Sequence, residues 1–311
     1  MFHNAEQTIE RTLKSLALQE LDGVEYIFVD DGSRDRSVEI LRDFMALNPN
    51  LSGRHRLVSV DSRRGSAHAT SVGFSVARGE YVIRCDADDY FAPEALRKLW
   101  DASGHGMADI VSAPYLRLNG KRVKEVRYCD CFTDLNDMPL DTLHFSLCNK
   151  LLRRSMIIEN DLLPFEGVDC WEDVGVVSRL FALMPSVVFM SELVYNYVWR
   201  KGSLTDSACE RILHEHLMMA LLLEQWFVNH NLAERYEEFL TRLKFIAKVK
   251  FMRGRYKNVA DWKRTFPEVN HKIMGIRGVG FFWRVLFSIV TWLPTSVTQK
   301  IADVTSRVYR K

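Results

Sequence analysis

The chain begins with apolar positions at helical spacing. In "NAEQTIERTLKSLALQE" (4–20), Ile9, Leu13, Leu16 and Leu18 recur near one face, with Asn4 as the candidate N-cap. "VEYIFVDDGS" (24–33) then reads as a buried strand that ends in a Gly-Ser turn. "RSVEILRDFMAL" returns to the helical period, "RLVSVD" to a short strand, "GSAHATSVGFSVARG" to a helix rich in small residues, and "EYVIRCD" to a strand. Pro93 suits the first turn of the next helix. Strands alternating with helices of roughly 10–15 residues predict βαβ units and a mostly parallel sheet flanked by helices.

The pattern changes after Asp109. "DIVSAPYLRLNGKRVKEVRY" sets Asn119-Gly120 between alternating runs, a hairpin signal. A helix at "EDVGVVSRLFALM" precedes strand-like sequence in "VVFMSELVYNYVWR". From Ser207 onward the spacing is helical, through "ILHEHLMMALLLEQWFV", "RYEEFLTRLKFIAKVKFM" and finally "VGFFWRVLFSIVTWLP". No internal repeat or low-complexity linker interrupts the chain.

Charge sharpens this division. The 311 residues carry a net +2, but Thr241–Lys311 holds 16 Lys/Arg against 3 Asp/Glu, a net of +13. The first 240 residues hold the remaining 26 against 37, a net of −11. A basic tail on an acidic body points to an anionic surface as partner, with a solvated helical face as the plain alternative. Six scattered cysteines form no disulfide framework, and the lone Cys129-x-Cys131 pair has no second half for zinc. A reduced, cytoplasmic setting follows, since "MFHNAEQTIERTL" is no signal peptide.

The chemistry concentrates in two acidic clusters. Asp30 and Asp31 close one predicted strand; Asp86, Asp88 and Asp89 close another. In an open parallel sheet, ligands sit beyond the carboxyl ends of the strands. Clustered carboxylates there repel one another unless a cation lies between them, and all-oxygen ligands suit Mg²⁺ or Mn²⁺ bridging to phosphate. Helix caps and solvated turn acids would account for either cluster alone.

"VDDGSRDRS", "RGSAHATSVGFSVARGEYVIRCDADD" and "WEDVGVVSRL", in that order, resemble the family 2 glycosyltransferases of GT-A fold over roughly residues 1–205. "NKLLRRSMI" and "YNYVWRKGSLT" resemble segments of bacterial members that build surface polysaccharides. The resemblance implies a GT-A domain at 1–205, with a nucleotide-sugar half (1–112) and an acceptor half (113–205), followed by a basic helical region at 206–311. It further implies an inverting transfer from a nucleotide-diphosphate sugar, a UDP-sugar foremost, to a glycan or lipid-linked acceptor. Asp30 and Asp31 would contact uracil and ribose. Asp88 would be the direct ligand of Mg²⁺ or Mn²⁺, with Asp86 sharing the metal or the ribose, and Asp89 would touch the sugar or brace the loop. Asp173 would be the catalytic base, with Glu172 orienting beside it. Arg200 and Ser203 would close over the diphosphate, and Lys150 would pair with a nearby acid.

The chain departs from that pattern twice. The apolar strand expected before Phe2, His3 and Asn4 is missing, so a strand position is left open unless an upstream or other segment fills it. His3 stands where an aromatic packs near the base. In the helix after Gly65, Thr70-Ser71 replaces the usual Arg-Asn, which moves the expected nucleotide-binding cation to Arg63 or Arg64. These departures leave room for a non-catalytic paralogue that binds sugar nucleotide or a protein partner. A dehalogenase-type phosphatase would carry its Asp-x-Asp after the first strand, and a nucleotidyltransferase would carry a Gly-rich N-terminal loop; neither fits. "GVGFFWRVLFSIVTWLP" (278–294) is too short to span a bilayer. Its tryptophans and basic flanks suit a helix in the membrane interface, while a core helix is the alternative. No nucleic-acid-binding motif accompanies the charge.

Overall fold

Helix α1 (Ile9–Ala17) forms where the 3.6-residue period puts Ile9, Leu13 and Leu16 on one buried face. It starts later than its sequence pattern, and its N-cap is Thr8, not Asn4. Asn4 instead ties the N-terminal segment to a neighbouring turn: its amide donates to Ser33 Oγ at 3.0 Å, and its Oδ1 accepts from Arg34 N at 2.8 Å. The computed structural model describes residues 1–128, 132, 134–200, 210–252 and 258–300. The chain divides into two compact units, residues 1–133 with 141–201, and residues 134–140 with 202–311.

The first unit continues through β1 (Tyr26–Asp30), α2 (Ser37–Leu47), α3 (Pro49–Ser52), β2 (His55–Ser59), α4 (Ser66–Val76), β3 (Tyr81–Val82), β4 (Tyr90–Phe91) and α5 (Ala95–Ala102). Then come β5 (Ile110–Ser112), β6 (Tyr115–Asn119), β7 (Arg122–Val126), α6 (Thr142–Phe145), β8 (Lys150–Arg153), α7 (Arg154–Glu159), α8 (Glu172–Ala182), β9 (Val187–Phe189) and β10 (Tyr195–Val198). β1 pairs in parallel with β2, from Tyr26↔His55 to Asp30↔Ser59. The other two sheets, β3-β8-β5-β9 and β4-β10-β6-β7, are mixed. β8 runs against both β3 and β5, whereas β5 is parallel to β9 and β6 to β10. The Asn119-Gly120 signal is realised as the β6–β7 hairpin, with Gly120 at φ +56°.

The position expected for a first strand lies between β1 and β3. Among the described residues, β1 pairs along its length only with β2, and β3 only with β8. A cavity of about 590 Å³ separates them, lined by Leu13, Tyr26, Phe28, Phe74, Tyr81 and Trp100 among others. Phe2 enters at one end through a single parallel bridge: its N–H donates to Val29 O, and its carbonyl accepts from Asp31 N, both at 2.9 Å.

The second unit holds α9 (Glu210–Asn229), α10 (Glu237–Val249), α11 (Val259–Arg264) and α12 (Phe281–Trp292). Leu213, Phe245, Val249, Trp262, Ile273 and Phe287 form its core, and buried Lys248 lies over the Trp262 ring at 4.5 Å.

Candidate functional site

The first acidic doublet sits where β1 ends and is consumed largely by local structure. Gly32 takes φ +68°, and a Cβ there would come within 2.7 Å of the Ser62–Arg63 backbone, so the turn requires glycine. That close approach lets Asp31 reach across: Oδ1 accepts from Arg64 N at 2.7 Å and Oδ2 from Gly65 N at 2.8 Å. Asp30 Oδ1 accepts from Ser33 N at 2.9 Å. Both carboxylates are buried. Asp30 and Asp31 therefore hold the loops that follow β1 and β2, and His3 joins them through Nδ1 to Asp31 O at 2.7 Å. Arg64 is ion-paired with Glu166. Gly65, at φ +102°, leaves the space in which the Asp169 carboxylate meets α4, with Oδ1 accepting from Ala67 N at 3.1 Å. Thr70 and Ser71 lie within α4, where Ser71 Oγ donates to Ala67 O.

The second cluster is built around an arginine that the motif reading passed over. Alternation along an extended chain puts Val82, Arg84 and Asp86 on one side. Arg84, with only 13% of its side chain exposed, stands between two acids. Nη2 donates to Asp86 Oδ2 at 3.1 Å and Nη1 to Glu172 Oε1 at 2.8 Å. A guanidinium fork suits such double recognition. Burial opposes ionisation of Asp86, and Arg84 is the leading charge that outweighs it, holding the carboxyl below its usual range. Burial pushes Glu172 up to about 7 against the pull of Arg84. The cation expected among these carboxylates is thus partly the protein's own. An arginine in the otherwise apolar "YVIRCD" was the available signal.

Asp89 braces the loop. It is 1% exposed, and its oxygens accept from Tyr195 OH at 2.9 Å and Val198 N at 2.7 Å. Burial, then the neighbouring Asp86, raises its carboxyl to about 8. Tyr195, also missed by the motif reading, accepts from Asp86 N at 3.2 Å and so ties β10 to both acids. Helix α1 grips the same loop, with Thr12 Oγ1 donating to Asp89 O and Arg11 Nη2 to Asp88 O.

Asp88 points elsewhere. Its Oδ2 accepts from Arg200 Nε at 2.7 Å, and a fifth of the side chain remains exposed. Arg200, expected to close over a diphosphate, here meets the Asp88 carboxylate; Ser203 lies outside the described residues. The Asp88 carboxylate belongs to the donor class that a hard divalent cation takes. Asp86 Oδ1 makes no hydrogen bond but lies 3.1 Å from Arg84 Nε, so that guanidinium already neutralises it. A closer trio, Asp86, Asp89 and Cys148, fits less well. The Cys148 thiol is held protonated by burial, well above its usual range, and donates to Asp86 Oδ2 at 3.3 Å.

Glu172 and Asp173 open α8, where carboxylates also favour the helix dipole. Glu172 is fixed by Arg84. Asp173 is partly exposed, accepts from Val174 N at 2.8 Å, and is raised above the usual carboxylate range by burial. Among the described residues, Lys150 forms no ion pair with an acid side chain. Its buried ammonium donates to Leu143 O, Ser146 O and Asn149 Oδ1 at 2.9–3.0 Å, and burial lowers it to about 7.

The model of the glycosyl transferase family 2 matches residues 1–160 of this chain, more than half its length. The chain belongs to the family 2 glycosyltransferases. Among curated relatives of this glycosyltransferase, the cholesterol galactosyltransferase of Borreliella burgdorferi is 24% identical, over 88% of this chain and 80% of that protein. The poly(ribitol-phosphate) beta-glucosyltransferase of Bacillus spizizenii is 29% identical, over 64% of this chain and 31% of that protein. The fold is GT-A-like. The structure of S. aureus TarS 1–349 with UDP-GlcNAc superposes with a TM-score of 0.64 at 16% identity, covering 99% of this chain and 89% of that one. The mannosyltransferase PcManGT of Pyrobaculum calidifontis, with GDP-Man and Mn²⁺, gives 0.52 at 16% identity, covering 100% and 86%.

Proposed function

We propose that this glycosyltransferase is an inverting, metal-dependent enzyme that moves a hexosyl or N-acetylhexosaminyl group from a nucleotide-diphosphate sugar, foremost a UDP-sugar, to a glycan or lipid-linked acceptor in surface polysaccharide synthesis. The observation that carries the reading is the Arg84 bridge, which brings the Asp86–Asp88 strand end and the Glu172-Asp173 helix start together. The solved relatives carrying UDP-GlcNAc, or GDP-Man with Mn²⁺, support the donor class.

Asp88, with Asp86 beside it, would hold Mg²⁺ or Mn²⁺; when bound, the cation supplies charge stabilisation for the departing diphosphate. Asp173 takes the proton from the acceptor hydroxyl as that oxygen attacks the sugar carbon from the face opposite the diphosphate. A carboxyl raised by burial is a better base than an exposed one. Arg84 keeps Glu172 fixed beside Asp173. Arg200 exchanges Asp88 for the diphosphate when donor binds. His3, Asn4, Asp30, Asp31, Arg64 and Gly65 shape the nucleotide end, mostly through the loops they hold. A lipid-linked acceptor puts the enzyme at the inner face of the cell membrane, with its basic C-terminal helices toward the lipid.

Calorimetric titration of UDP with and without Mn²⁺, on wild type and Asp88→Ala, tests the reading. Metal-dependent binding that the variant loses is expected; binding indifferent to metal and to the variant would sink it. The Arg200–Asp88 pair favours one second reading, a non-catalytic paralogue that binds sugar nucleotide. Donor turnover with acceptor present separates the two.

A further inference from the structure

α12 carries Arg284, Ser288 and Thr291 along one edge and is apolar elsewhere, yet only part of its apolar surface is covered. Phe287 and Val290 are buried in the unit's core with Phe245 and Trp262, while Phe281, Phe282 and Trp292 are 67, 69 and 71% exposed and Ile289 is 47% exposed. At about 100° per residue, positions 281, 285, 289 and 292 form one stripe, with 282 at its margin and 287 and 290 opposite. With 12 residues α12 is too short to span a bilayer, which takes about 20. Among the described residues no helix is long and apolar enough to cross a membrane.

The flanking sequence is basic: from Lys272 to Lys300 the chain has four Lys/Arg and no Asp or Glu. Lys272 is ion-paired with Glu237, and Arg277 with Asp137 and Glu238, which leaves Arg284 and Lys300 as the cations nearest the helix in sequence. The Arg284 guanidinium lies 5.8 Å from the centre of the Phe281 ring and donates to Met274 O at 2.7 Å, beside the exposed Met274 side chain.

We propose that this stripe docks in the interface of an anionic lipid bilayer. Phe281, Phe282, Ile289 and Trp292 enter the boundary between headgroups and acyl chains, and Arg284 and Lys300 meet the anionic headgroups. Charge selects lipid over a second copy of the chain, because a symmetric pairing of stripes would bring like charges together. The inference deepens the lipid-linked acceptor reading and rests on it for purpose, while its test stands apart from catalysis.

The test is sedimentation of the full chain with phosphatidylcholine vesicles, with and without phosphatidylglycerol, alongside UDP titration and analytical ultracentrifugation. Wild type is expected to bind the anionic vesicles. Phe282→Ser/Trp292→Ser should weaken that binding by roughly tenfold or more, since it removes two large interfacial side chains. Arg284→Glu should weaken binding to anionic vesicles alone. All variants should keep wild-type UDP binding, which separates loss of docking from loss of the donor site. Failure of wild type to bind anionic vesicles, or undiminished binding by the double variant, overturns the proposal. So does a wild-type dimer that the double variant dissolves, which assigns the stripe to a second copy.

Discussion

Arg84 donates to Glu172 at 2.8 Å across 88 positions of sequence, and the same guanidinium holds Asp86 two residues on. This one side chain fixes the relative position of the two acid-bearing segments. It also offsets the repulsion between the two carboxylates that it joins.

Replacing that cation should therefore cost both stability and turnover. Arg84→Met leaves Asp86 and Glu172 buried without their partner, a loss of about 3–5 kcal/mol for a broken buried pair. Arg84→Lys keeps the charge without the fork and should recover part of each property. Urea melts and initial rates on the two variants check this; a Met variant with wild-type turnover would remove Arg84 from the site.

Asp173→Asn should lower kcat by about 10²–10⁴-fold, the usual worth of a positioned base. UDP affinity should not change, because the base acts on the acceptor. Parallel measurement of kcat and of the UDP dissociation constant decides between a base and a donor contact.

Arg200 and a divalent cation compete for Asp88. Arg200→Ala should therefore bind Mn²⁺ several-fold more tightly than wild type without nucleotide, while its donor KM rises. Mn²⁺ titration without UDP reads the first effect directly.

Lys150 supplies a pH dependence whose sign is fixed. Its folded value, about 7, lies below the ordinary lysine value, so between the two the unfolded chain binds more protons. Its contribution to stability thus rises with pH across that window. Lys150→Met also abandons three oxygens, so it destabilises throughout, and the cost should be larger at pH 10 than at pH 7. Denaturant melts of both proteins at those pH values test it; a cost that shrinks with pH contradicts the burial argument.

Much of the order of strands and helices was legible from the chain, because hydrophobic period and turn residues are local properties. The first acidic cluster at the end of β1, the helix opening at Glu172 and the β6–β7 hairpin follow from it. The antiparallel pairings of β4 and β8 do not, so two sheets are mixed where a mostly parallel one was expected, and the second acidic cluster lies in the link between β3 and β4. Family membership was legible too, since it rests on short motifs in sequence order. What each acid does was not. Asp31 and Asp89 look like binding residues in a motif, but the structure gives their oxygens to Arg64, Gly65, Tyr195 and Val198. Asp88 looks like its neighbours, yet it alone among the strand-end acids meets Arg200. Whether a carboxylate is spent or available depends on donors that arrive from distant segments, and no local pattern encodes those. Arg84 makes the same point in reverse: the sequence displayed a cation in an apolar run, but only the arrival of Glu172 at the start of α8 decided which acids it would serve.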